Sequence, residues 1–75
     1  MTAKQYAALP YISQRIIMLR EAAGWTPYRL AKASGVGTDT IYRLESGKRT
    51  DVSFITMAKI ATALKVSLDQ FSEPS

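Results

Sequence analysis

From Tyr11 to Ala23 the apolar residues Ile12, Ile16, Leu19 and Ala23 recur at the spacing of one helix face, and Gly24 follows where a helix stops. A second helix is predicted from Pro27 to about Ser34. Thr26 can cap it, and Pro27 stands at the first helical position, where a missing N–H costs nothing. Only Gly35, Val36 and Gly37 separate it from a third segment, Thr38 to Ser46, in which Ile41 and Leu44 lie on one side while Thr38, Asp39, Tyr42 and Arg43 lie elsewhere around the wheel. Gly37 or Thr38 can cap this segment, and Gly47 ends it. After a polar loop, Ser53 caps a stretch whose Met57, Ile60, Ala61 and Leu64 form another stripe, closed by Val66. Ser67 repeats the capping logic for a last short segment that offers Leu68 and Phe71 to a core. With no alternating strand pattern and no internal repeat, the pattern predicts an all-α fold of five helices with short connections. It occupies residues 11–72, after an extension of residues 1–10 and before a frayed tail of residues 73–75.

The second and third segments are too short to be stable alone in water, so they must support each other. Two helices crossing steeply through a tight turn need a small residue where the backbones approach, a flexible residue in the turn, and apolar residues that lock the second helix. Ala31, Gly35, and the set Val36, Ile41 and Leu44 supply these in order. That is a helix-turn-helix pattern.

Composition narrows the functional classes. The chain has 75 residues, enough for one domain, and neither cysteine nor histidine, so no disulfide or zinc site staples it and packing must hold it together. No apolar run approaches membrane-spanning length and the N-terminus has no sustained apolar core of a signal peptide, which predicts a soluble, cytoplasmic protein. Ten Lys and Arg against six Asp and Glu give a net charge of +4, which suits either simple solubility or a nucleic-acid partner. Catalysis is disfavoured: the chain has no phosphate-cradling glycine loop and no clustered carboxylates, and no metal or cofactor is expected.

The stretch LREAAGWTPYRLAKASGVGTDTIYRLESGKR, with TMAKIATALKVSLDQF after it, resembles the Cro and phage-repressor class of DNA-binding domains, the XRE family. The resemblance spans roughly Ile12 to Phe71, and the ESGKR and KIATALKVSLDQF segments at the family's distances make it specific. It implies a compact five-helix bundle of the lambda-repressor-like type, in which the helix at about 38–46 lies in the major groove of double-stranded DNA. Carried over by position, Thr38, Asp39 and Arg43 fall where family members read bases, with Thr40 and Tyr42 beside them.

The side chains at these positions have suitable chemistry. Arg43 can donate twice to guanine, Asp39 can accept from the cytosine amino group, and Thr38 can touch a thymine methyl or a phosphate. Structural roles compete with each: Asp39 suits the helix dipole, Thr38 a cap, and Arg43 a pair with Asp39 one turn away. Tyr42 can stack, donate to phosphate or cover the domain's edge. For the phosphate backbone the candidates are Pro27, Tyr28 and Arg29 at a helix N-terminus, and Ser46, Gly47, Lys48 and Arg49 in the loop that the family runs along DNA. The family usually has a phosphate-binding glutamine where Pro27 stands, so Tyr28, the amides after it and Arg29 must compensate.

Arg20 and Glu45 each lie four residues beyond a core isoleucine, at the margin of the apolar stripes. The resemblance implies that they join as a partly buried structural ion pair. Ile17 and Ile55 stand where relatives are usually polar and so predict a second apolar surface: either Tyr6 and Leu9 fold over Ile17, or the surface is a dimer face. The resemblance also implies a homodimer on a palindromic operator, with Leu64 to Phe71 as the candidate contact. The function expected is a sequence-specific transcriptional repressor. The alternative is an antitoxin or other module that uses the same fold to grip a partner protein.

Overall fold

The computed structural model describes residues 2–72, and its regular elements are all helical. Helix α2 spans Tyr11–Ala22, α3 Pro27–Ser34, α4 Thr38–Glu45 and α5 Phe54–Leu64, and a single 3-10 turn follows at Leu68–Phe71. An additional helix, α1 at Ala3–Ala7, precedes them. The five-helix expectation therefore holds in number but not in membership, because the final segment is one 3-10 turn and the fifth α-helix lies in the N-terminal extension. The tail at residues 73–75 lies outside the described residues.

Local chemistry accounts for the helix ends. Thr26 Oγ1 accepts from the Arg29 amide at 3.1 Å and Ser53 Oγ from the Thr56 amide at 3.1 Å, so both act as N-caps. Thr38 does not: Gly37 takes the cap position of α4 without any side-chain bond, and Thr38 is the first helical residue. Ser67 likewise occupies a cap position without using its hydroxyl. Gly35 turns the chain from α3 into α4 at φ 74°, a conformation that a side chain disfavours. Helix α5 ends differently. Lys65 itself takes φ 59°, and the Val66 amide reaches back to Ala61 O at 3.0 Å, a Schellman closure with a lysine where glycine is usual.

The core sits where α2, α3, α4 and α5 converge. Ile16, Leu30, Ile41, Leu44 and Ile60 are completely buried, and Ala31, Met57, Ala61 and Phe71 complete the cluster. Burying one such aliphatic side chain contributes about 1.5–3 kcal/mol. In a chain of this size, which has no covalent staple, that is a large share of net stability. Ala31 is small where α3 and α4 cross, as a tight pair requires.

The N-terminal extension is part of this body. Thr2 and Gln5 form a reciprocal capping box on α1, which is too short to persist without tertiary support. That support comes from Tyr6, whose hydroxyl donates to Gln14 O at 2.9 Å, and from Gln14, whose Nε2 donates to Leu9 O at 2.8 Å. Ile17 is 5% exposed and, with Ala3 and Tyr6, lines the hollow between α1 and α2. Of the two readings of the extra apolar residues, the intramolecular one holds at Ile17 through Tyr6, while Leu9 lies against Gly47 instead. That reading does not extend to Ile55, which is 66% exposed.

Candidate nucleic-acid interface

Helix α4 has two faces of opposite character. Ile41, Leu44 and Glu45 are buried, whereas Asp39, Tyr42, Arg43 and Ser46 are exposed at helical spacing, with Thr38 and Thr40 half-buried at the N-terminal end. The packing of the inner face orients the outer one. Among the described residues no ion pair links Arg43 to Asp39, so both side chains are free to meet a partner. Tyr42 is 55% exposed, too much for a side chain whose purpose is to fill the core.

The loop after α4 is folded back on the helix end. Ser46 Oγ donates to Arg43 O at 3.2 Å, and the Arg49 amide donates to the same carbonyl at 3.2 Å. Gly47, at φ 78°, gives its amide to Leu44 O at 3.3 Å, so it shapes the loop and offers no free N–H of its own. Lys48 and Arg49 are exposed, and Arg49 reaches Asp51 only at 3.9 Å. The second group of candidates opens α3. Pro27 has no amide hydrogen and the Arg29 amide is held by Thr26, which leaves the Tyr28 amide as the outward donor of that turn. Arg29 lies over the Trp25 ring at 5.5 Å and Lys32 over the Tyr28 ring at 5.7 Å, so aromatic rings steady one cation in the first turn of α3 and one in its last.

The charge balance of this region is lopsided. Arg29, Lys32, Arg43, Lys48 and Arg49 lie between positions 26 and 51 and are opposed by two carboxylates, Asp39 and the Asp51 that Arg49 reaches at 3.9 Å, because Glu45 is taken up by Arg20. A concentration of positive charge at one part of a small domain is the electrostatic footprint expected for a polyanion.

Arg20 and Glu45 meet at the base of this face, with 11% and 10% of their side chains exposed. The hydrogen bonding that Arg20 donates to Glu45, foremost, raises the Arg20 pKa above its ordinary value against the opposing effect of burial, so the guanidinium stays charged. Sequence reasoning found this pair but missed Ser13. That side chain is completely buried in α2 and donates to Leu44 O at 2.5 Å, tying α2 to the last turn of α4. A serine on an otherwise apolar face is the signal that was available. Arg15 was also missed: its Nε donates to Gln70 O at 2.8 Å, which holds the 3-10 turn against α2.

A fold of four converging helices with a tightly turned α3–α4 pair and a cationic outer face defines a DNA-binding domain of the helix-turn-helix type. The helix-turn-helix family model matches residues 16–71, and the chain belongs to that family, as a Cro/C1-type DNA-binding regulator of transcription. Among solved structures, it is similar to the restriction-modification controller protein C.AhdI from Aeromonas hydrophila. The TM-score is 0.79 and the identity 33%, over 88% of this chain and 98% of that one. No curated protein sequence matches. Among the described residues no helix is long and apolar enough to cross a membrane.

Proposed function

We propose that the chain is a sequence-specific repressor that binds a palindromic operator as a homodimer, with α4 in the major groove. The observation that carries this reading is the two-faced α4, whose Asp39, Tyr42 and Arg43 project outward while Ile41 and Leu44 anchor it. Arg43 takes the role of guanine reader, Asp39 that of cytosine acceptor, and Thr38, freed from capping, contacts a thymine methyl or a phosphate beside Thr40. Tyr28, Arg29, Ser46, Lys48 and Arg49 hold the phosphates on either side, with Pro27 and Gly47 setting the backbone that presents them.

The dimer follows from reach. The domain measures 30 × 28 × 22 Å, so one copy spans about one 34 Å turn of duplex and reads a single half-site. The apolar side chains of Leu64 to Phe71 pack inward on the core, which argues against that segment as the contact. Phe54 and Ile55 replace it, at 74% and 66% exposed. Phe54 forms a ridge between two hollows, one bordered by Ala33 and Ala58 and the other by Val52 and Leu68. A ridge beside a hollow is self-complementary across a two-fold axis, which favours a second copy over an unrelated protein partner.

Likeness to a restriction-modification controller favours a regulator of restriction-modification genes as the biological setting. Selection of bound sequences from random duplex DNA is the test. The reading expects an inverted repeat with half-site centres about one helical turn apart, and enrichment of no sequence at moderate salt refutes it.

A further inference from the structure

We infer that the N-terminal segment through Pro10 is a brace for the phosphate-contacting loop, and that Leu9 and Pro10 are positioning residues for DNA binding. The inference rests on the proposed function for its purpose, but its structural half is independent. The family match spans residues 16–71, so this segment precedes the matched residues.

The contact is close and specific. A Cβ placed on Gly47 would lie 2.9 Å from Pro10 Cδ and 3.4 Å from Leu9 Cδ2, so the segment is seated directly on the loop backbone at its one glycine. The glycine is thus needed twice, for its φ of 78° and for the room it leaves. Beyond the contact the segment is fastened to α2. Tyr6 donates to Gln14 O, Gln14 returns a bond to Leu9 O, and the capping box of Thr2 and Gln5 gives α1 its form. Next to Gln14 on α2, Ser13 holds Leu44 O, the same carbonyl that receives the Gly47 amide. The end of α4 and the loop that leaves it are therefore gripped from one side by Leu9, Pro10 and Ser13. The same loop carries the exposed Ser46, Lys48 and Arg49.

A lysine or arginine on a freely moving loop must be ordered when it meets a phosphate, whereas on a braced loop that ordering is already complete. Bracing therefore strengthens backbone contacts without altering which bases α4 prefers.

The Gly47 and Arg49 amides, both bonded to carbonyls of α4, report loop opening by hydrogen exchange in the full chain without DNA. In Leu9→Ala/Pro10→Ala these two amides should exchange about five- to thirtyfold faster, while Ile60 in the core is unchanged. The selected duplex should then bind more weakly, with the same base preference and an unchanged salt slope, because the phosphate contacts still form once the loop is ordered. Tyr6→Phe, which removes one fastening and leaves the Gly47 contact intact, should give the same pattern at smaller amplitude and serves if the double variant fails to fold. Unchanged exchange at Gly47 and Arg49 overturns the brace, as does equal acceleration at Ile60 or a faster-exchanging loop with undiminished DNA affinity. If the unaltered chain binds no duplex, the proposed function fails, and the exchange measurement alone decides the brace.

Discussion

Arg20 and Glu45 meet side-on where α2 passes the end of α4: Nε donates to Oε2 at 2.6 Å and Nη2 to Oε1 at 2.8 Å, while Nη1 donates to Trp25 O at 2.8 Å. The guanidinium thus joins α2, the α2–α3 connection and α4 through three bonds. Such a pair sets the relative placement of helices more than it adds net stability, because desolvation offsets much of the attraction.

Removing one partner is the damaging change. Glu45→Ala should destabilise the fold by about 3–5 kcal/mol in urea denaturation, since it leaves Arg20 largely buried without its counter-charge. Arg20→Met/Glu45→Leu should recover most of that loss. Because the Arg20 pKa is raised, its contribution is complete below the unfolded value and is lost only as pH climbs through the still higher folded one. Stability between about pH 6 and pH 9 should therefore show no loss traceable to Arg20.

Arg43→Ala should relax base preference at one position of each half-site, at a cost of about 1–3 kcal/mol, when selected sequences are compared with those of the unaltered protein. Unchanged selection would remove Arg43 as the base reader. Lys48→Ala should weaken all duplexes alike and lower the salt slope by about one.

Lys65 is the one non-glycine residue with positive φ among those described. Lys65→Gly should raise stability by about 1 kcal/mol, visible as a higher thermal midpoint, because the left-handed conformation costs a residue with a Cβ about 1–2 kcal/mol and a glycine far less. DNA affinity should hold, since Lys65 lies outside the proposed interface.

Phe54→Ala should weaken self-association by about 2 kcal/mol in sedimentation equilibrium, the effect of truncating a central aromatic anchor. A monomer–dimer equilibrium insensitive to both Phe54→Ala and Ile55→Thr would place the dimer contact elsewhere.

The regular body of the fold was legible along the chain because its signals are local. The spacing of Ile41 and Leu44, the caps Thr26 and Ser53, and the glycine at position 35 each act within a turn or two, so α2 to α5 could be read from neighbours alone. The family resemblance brought Arg20 and Glu45 together, which spacing by itself left open. Helix α1 was not legible. Its five residues have no buried position, and they are helical because Tyr6 finds Gln14 and Leu9 finds Gly47.

By itself, then, the sequence determined helices α2 to α5, their order and the tight turn, since hydrophobic period and capping chemistry operate over a few residues. Tertiary structure alone decided which apolar residues are covered and which are offered outward. Ile17 is sheltered by a segment folded back from the N-terminus, and Ile55 is left bare. It also decided that the apolar side chains of Leu64 to Phe71 turn inward and that Gly47 lies under Pro10. The reason is physical: burial depends on what the rest of the chain places against a residue, and no local pattern encodes that.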